Sequence, residues 1–90
     1  ENVVESSEKK DLYSVVGPVC ETADSFGSDF EVSANAGDYL VVYSAGAYGS
    51  SMGSNYNTRL KPAEILVDQK SHKVIRKAET FDDLIKEEEL

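Results

Sequence analysis

The sequence has no tryptophan, a single cysteine, a single histidine and only two prolines among its 90 residues. One cysteine, Cys20, excludes a disulfide within the chain, and a lone thiol suits a reducing, cytoplasmic setting. One Cys and one His (Cys20 and His72) cannot supply the four ligands of a structural zinc site, so no metal is expected. The longest apolar run, Tyr39-Leu40-Val41-Val42-Tyr43, is far short of the roughly 20 residues that span a bilayer as a helix. The opening Glu1-Asn2-Val3-Val4-Glu5 lacks the basic and apolar regions of a signal peptide. Positive charge is scarce as well: nine Lys and Arg stand against 17 Asp and Glu, a formal net charge of −8. Nucleic acid and anionic membranes both reward dense Lys and Arg, so neither is expected as a partner.

What is present is ordinary for a soluble globular chain, with 40% apolar and 29% charged residues. Ninety residues make one small domain, residues 1–90, with a thin core. The sequence does not begin with Met and opens on what reads as the middle of a strand. The expectation is a fragment of a longer protein.

Two apolar stretches, Val3-Val4 and Leu12-Tyr13-Ser14-Val15-Val16, flank the polar Ser6-Ser7-Glu8-Lys9-Lys10-Asp11 and predict a β-hairpin with a long loop. Gly17-Pro18 ends the second strand, because proline offers no ladder donor. Residues 19–27 read as a turn or short helical segment followed by an irregular polar stretch. Asn35-Ala36-Gly37-Asp38 signals a turn into Tyr39–Tyr43, which reads as a strand covered on both faces. The stretch from Ser44 to Arg59 is rich in Gly and Ser, as a linker would be. Tyr48, Met52 and Tyr56 nevertheless recur every four residues, which predicts a short, closely packed helix or ordered loop. Ala63–Val67 and Val74–Arg76 predict a second hairpin around a loop at Asp68–Lys73, with His72 solvated in that loop. Thr80 with Asp83 three residues on has the pattern of a capping box for a terminal helix bearing Phe81, Leu84 and Ile85. Glu87, Glu88 and Glu89 oppose the dipole of that helix and predict fraying.

Residue chemistry leaves several roles open. Cys20-Glu21 just past a strand end can be a functional thiol and carboxylate, or a small buried hydrophobe beside an exposed loop acid. Gly46-Ala47-Tyr48-Gly49 lacks the Lys-Ser/Thr of a phosphate loop and the spacing of a dinucleotide fingerprint. Tyr48 can be a packed core tyrosine or a hydroxyl offered to an anion. Asp24 and Asp29 can cap or pair with a basic residue. The basic group Lys70, Lys73, Arg76 and Lys77 reads as a solvated face.

Three stretches together resemble the diaminopimelate decarboxylase family of pyridoxal-phosphate enzymes. They are Val15-Val16-Gly17-Pro18-Val19-Cys20-Glu21-Thr22-Ala23-Asp24, Gly37-Asp38 through Ser44-Ala45-Gly46-Ala47-Tyr48-Gly49, and Ser51-Met52-Gly53-Ser54-Asn55-Tyr56-Asn57-Thr58-Arg59 continuing to Pro62-Ala63-Glu64-Ile65-Leu66-Val67. The ending Glu79-Thr80-Phe81-Asp82-Asp83-Leu84 is similar as well. The resemblance implies a mainly β fold: a C-terminal β-sandwich or Greek-key-like barrel domain with short helices, detached here from an N-terminal (β/α)8 barrel. It further implies a two-domain subunit making L-lysine and CO2 from meso-diaminopimelate. That barrel would carry the Schiff-base lysine and most contacts to pyridoxal 5'-phosphate, so the fragment alone would be inactive. Within this resemblance Cys20 matches the proton donor and Glu21 the carboxylate that reads the distal amino group of the substrate. Tyr48 matches the tyrosine lining the cofactor and substrate site. It also implies a homodimer whose active sites are shared across a self-complementary interface. Thr22 stands where the family often has Ser, and Leu60-Lys61 where Pro-Arg is more usual. Related decarboxylases of ornithine, arginine or carboxynorspermidine tend to carry Cys-Asp at this point. A free-standing, non-catalytic β-module is the alternative of another class.

Overall fold

A computed structural model describes residues 1–3 and 9–89. Among the described residues the regular elements are four strands and one short α-helix, β1 (Asp11–Val16), β2 (Ser25–Val32), β3 (Glu64–Asp68), β4 (Ser71–Arg76) and α1 (Phe81–Ile85), with 3-10 turns at Ser50–Met52 and Tyr56–Thr58. The mainly β architecture expected from the sequence is the one observed, built from two separate two-stranded antiparallel sheets. The chain divides into two compact units, Glu1–Met52 and Gly53–Leu90.

In the first unit β1 pairs with β2, and the hairpin expected between Val3-Val4 and this strand falls largely outside the described residues. Val4 to Glu8 lie outside the described residues. Val3 bonds elsewhere: its N–H donates to Tyr39 O at 2.9 Å, and Asn2 bridges Leu40. The Asn2 amide explains this attachment, donating to Ser33 O at 2.8 Å and to the Asp38 carboxylate at 2.9 Å. Asp38 also accepts the Asn35 N–H at 2.8 Å, closing the expected Asn35–Asp38 turn. These bonds hold the Asp38 carboxyl below its usual range, the Asn35 backbone contributing most and the Asn2 amide next.

Strand β2 replaces the expected irregular polar stretch. Opposite Tyr13–Val16 it carries two extra residues, so the register slips between Tyr13 and Val15 and again between Val15 and Val16. Gly27 (φ 123°) and Asp29 (φ 63°) take the left-handed backbone these bulges require. The two insertions interrupt the two-residue alternation by which a strand is recognised in sequence. Tyr39–Tyr43 differs too. Among the described residues it makes a single bridge, Leu40 with Asn2, flanked by backbone bonds of Tyr39 to Val3 and of Val41 to Glu1, and it is exposed on this chain, with Tyr39 at 80%.

In the second unit β3 and β4 form the expected hairpin, with a tighter connection than the sequence suggested. Asp68 pairs with Ser71, so only Gln69 and Lys70 turn the chain, and His72 lies in β4 opposite Val67. His72 is exposed, as expected, although not in a loop. Arg76 and Glu64, directly opposite, form an exposed ion pair at 3.2 Å. The capping box of α1 is present: Asp83 N donates to Thr80 Oγ1 at 3.3 Å and Thr80 N to Asp83 Oδ2 at 2.8 Å. The helix ends at Ile85, before the three glutamates.

Among the described residues no apolar side chain is buried; only Ser33 is. The chain exposes 8144 Å². Even two independent bodies of half its mass would expose only about 6,200 Å². The surplus, about 1,900 Å², is more than twice the ~800 Å² that one partner contributes to a standard protein–protein interface.

Candidate functional site

The bulged end of the first hairpin runs into a corner formed by Gly17 to Asp24. The Gly17 N–H donates to Asp24 O at 2.9 Å, closing the corner at its base, and Asp24 N donates to Glu21 O at 3.1 Å. The Asp24 carboxylate folds inward and accepts the Val19 N–H at 3.0 Å. It occupies the space where a side chain on Gly17 would lie: a Cβ there would sit 2.1 Å from both carboxylate oxygens. A side chain at position 17 would therefore have to displace the Asp24 carboxylate, while the backbone there is not left-handed and does not itself demand glycine.

At the tip of this corner Cys20 and Glu21 are adjacent and both exposed. Cys20 is thus not the small buried hydrophobe that its residue type allowed. The Glu21 carboxylate bends back onto its own turn, taking the Ala23 N–H on Oε2 at 2.7 Å. The Thr22 hydroxyl is 3.4 Å from Glu21 Oε1. A carboxylate offers about four acceptor sites, so Glu21 keeps capacity for an incoming cation.

Tyr48 lies in the same unit, on a loop rather than a helix. Ser50 N donates to Ala45 O at 2.7 Å and Ser51 N to Gly46 O at 2.9 Å, and a single 3-10 turn follows at Ser50–Met52. A Cβ at Gly49 would meet Ala45 O at 2.3 Å, so this glycine allows the close backbone approach; nothing lies within 4 Å of the Cβ position of Gly46. Tyr48 itself is left-handed (φ 60°), held by its N–H bond to Ser51 Oγ at 3.1 Å. Tyr48 is 88% exposed on this chain, not packed in its interior. Among the described residues no hydrogen bond links its side chain to the Cys20–Glu21 corner.

The Asn55–Lys61 segment of the second unit is gathered by Glu79. One carboxylate oxygen accepts both the Asn55 amide and the Lys61 N–H, each at 2.6 Å, while Asn55 Nδ2 also reaches Arg59 O at 2.9 Å. Between these anchors Asn57 (φ 56°) and Thr58 (φ 60°) are both left-handed, which is uncommon for a β-branched residue. The Lys61 N–H is the largest cause holding the Glu79 carboxyl below its usual range. Arg59 closes the 3-10 turn at Tyr56–Thr58. Sequence reasoning missed the roles of Asp24 and Glu79. The Gly-Pro before Asp24 hinted at a tight corner, but no local pattern pointed to Glu79. Among the described residues no cluster of metal-ligating side chains occurs, and no helix is long and apolar enough to cross a membrane.

A profile of the pyridoxal-dependent decarboxylase C-terminal sheet domain matches residues 1–46. The diaminopimelate decarboxylase of Haemophilus influenzae is 53% identical over 76 residues, covering 84% of this chain and 18% of that protein. That of Aquifex aeolicus is 46% identical over 84 residues, covering 91% and 20%. A crystal structure from Aquifex aeolicus superposes with a TM-score of 0.85 at 44% identity, over 94% of this chain and 21% of that one. The Helicobacter pylori diaminopimelate decarboxylase complexed with L-lysine gives 0.78 at 40% identity, over 94% and 21%. This chain spans about a fifth of the length of the curated relatives it matches. With a profile match over more than half its residues and a solved structure of the same fold at 44% identity in agreement, the chain belongs to the C-terminal sheet domain of the pyridoxal-dependent decarboxylases.

Proposed function

We propose that residues 1–90 are part of the C-terminal β-domain of a two-domain diaminopimelate decarboxylase, which releases CO2 from meso-diaminopimelate to give L-lysine. One observation carries this reading: the likeness to proteins of that name runs through the corner that presents Cys20 and Glu21 side by side to solvent. The lysine complexes among the similar structures support the same substrate class.

The residues at hand fit one edge of pyridoxal 5'-phosphate. An exposed phenol (Tyr48) and thiol (Cys20) are available, whereas neither the corner nor the glycine-rich loop contains a lysine. The lysine and most phosphate contacts belong, in this proposal, to a (β/α)8 barrel. Pyridoxal phosphate, when bound, supplies an electron sink for the bond to the departing carboxylate. Cys20 then gives its Sγ proton to the carbon that has lost CO2; the electron pair of the broken C–C bond takes that proton, and the thiolate regains one from water. A thiol suits this task because its pKa lies close enough to neutrality to yield a proton at working pH. Glu21 accepts a charge-assisted hydrogen bond from the distal ammonium of the substrate, which selects a diamino acid. Tyr48 lines the cofactor and substrate. The surplus exposed surface supports cover by the barrel and by a second subunit, with each active site shared between two subunits.

The test is turnover by the complete polypeptide that carries this chain, offered meso-diaminopimelate, ornithine and arginine. Diaminopimelate should be preferred, and Glu21→Ala should erode that preference far more than it weakens cofactor binding. Preference for ornithine or arginine, or unchanged kinetics in the variant, would count against the assignment.

A further inference from the structure

We propose that Asp24 is a positioning residue for the reaction, fixing the Cys20–Glu21 corner through the Val19 amide and the space above Gly17; this rests on the reading that the corner supplies the thiol and carboxylate. Cys20 and Glu21 lie between two anchors, and both anchors are on Asp24. Ahead of Cys20, the Val19 N–H is held by the Asp24 carboxylate at 3.0 Å; behind it, Glu21 O is held by Asp24 N at 3.1 Å. The second anchor and the Gly17 N–H bond to Asp24 O are backbone bonds that any residue at 24 can make. Only the first depends on the side chain, and it fixes the residue next to the thiol.

Gly17, Val19 and Asp24 are half-buried, whereas Cys20 and Glu21 are exposed. The carboxylate is therefore the packed foundation of the corner and the thiol its free tip. The interaction is neither an ion pair nor a solvated cap: among the described residues Asp24 forms no ion pair. Its carboxylate fills the hollow left by the missing side chain of Gly17, where a Cβ would approach to 2.1 Å. The two positions are thus coupled by volume as well as through a hydrogen bond, and this coupling gives a test that a general loss of stability would not mimic.

The experiment uses the complete, cofactor-loaded polypeptide with D24A, D24N, G17A and the double variant G17A/D24A. D24A leaves the Val19 N–H without its acceptor and should lower kcat on the order of tenfold to a hundredfold, with a much smaller change in KM. D24N keeps an acceptor oxygen and should recover most of that loss. G17A should reproduce D24A by displacing the carboxylate, and it serves as the second probe where D24A does not fold. In the double variant the added methyl enters the vacated hollow, so it should be no worse than D24A alone, a non-additivity expected of touching residues. Alkylation of Cys20 by iodoacetamide across pH, followed on the Cys20 peptide, reads the same corner without turnover and should change in D24A and recover in D24N. Absence of decarboxylation by the unsubstituted protein would sink the functional reading, while the alkylation series would still decide the positioning role. Unchanged kcat and alkylation in D24A, a D24N as impaired as D24A, or multiplicative effects in the double variant would each overturn it.

Discussion

Urea should unfold this chain with an unusually shallow dependence on denaturant, because so little surface is hidden in the folded state. An unfolded chain of 9.8 kDa exposes about 14,200 Å² and a compact domain of that mass about 5,200 Å². The observed 8144 Å² means that unfolding uncovers about 6,100 Å² instead of about 9,000 Å². The denaturant slope m scales with the area uncovered, so it should be about two thirds of that for a compact domain of equal length. The assay is a urea titration of the isolated chain followed by far-ultraviolet circular dichroism and tyrosine fluorescence, with binding of a hydrophobic dye measured alongside. Dye binding in the absence of urea is expected, since Leu12, Val16, Phe26, Val67 and Phe81 all lie more than half exposed. A slope typical of a compact 90-residue domain, with no dye bound, would refute the inference that this surface is made for cover by another body.

Acid should loosen the second unit through Glu79 and Asp83, both held below their usual carboxyl pKa values of 4.5 and 3.8. The Lys61 N–H is the largest cause for Glu79, and the Thr80 backbone N–H for Asp83. For such depressed groups the stabilisation is fully present above the usual pKa and is lost as the pH falls through the lower, folded value. Chemical shifts of Asn55 and Thr80 followed from pH 6 downwards should therefore move only below about pH 4.5; movement near neutrality would contradict this. Thr80→Ala removes the cap of a five-residue helix and should cost about 1 kcal/mol, read as loss of helical shifts at Phe81–Ile85. Gln69→Gly should stabilise the β3–β4 hairpin by about 0.5–1 kcal/mol, because Gln69 holds a φ of 50° that glycine adopts without strain. A rise in urea midpoint checks it, and a fall would show that the Gln69 side chain matters more than its backbone.

Legibility in the sequence followed the range of the interactions. The α1 capping box depends on residues three apart, and the structure carries it at Thr80 and Asp83 as read. The β3–β4 hairpin was legible in its strands and misjudged in its loop, because Ser71, His72 and Lys73 are polar yet lie in a strand exposed to solvent. β2 was missed because two bulges break the alternation that marks a strand, and the partner of Val3 was missed because the Asn2 bonds span more than 30 residues. The motif Gly-Pro-Val-Cys-Glu was visible as letters, but residue chemistry alone left Cys20 and Tyr48 between buried and functional roles. Both are exposed on this chain, on segments held at Asp24 and at Ala45–Gly49 by contacts that no spacing rule encodes.

The most direct test grafts residues 1–90 in place of the matching segment of the Haemophilus influenzae diaminopimelate decarboxylase and measures CO2 release from meso-diaminopimelate with pyridoxal phosphate bound. The intact graft should turn over, and Cys20→Ala in it should lower kcat by about a hundredfold or more while leaving the cofactor bound. An inactive graft that nevertheless binds cofactor, or one whose turnover ignores Cys20→Ala, would contradict the assignment of this corner to the reaction.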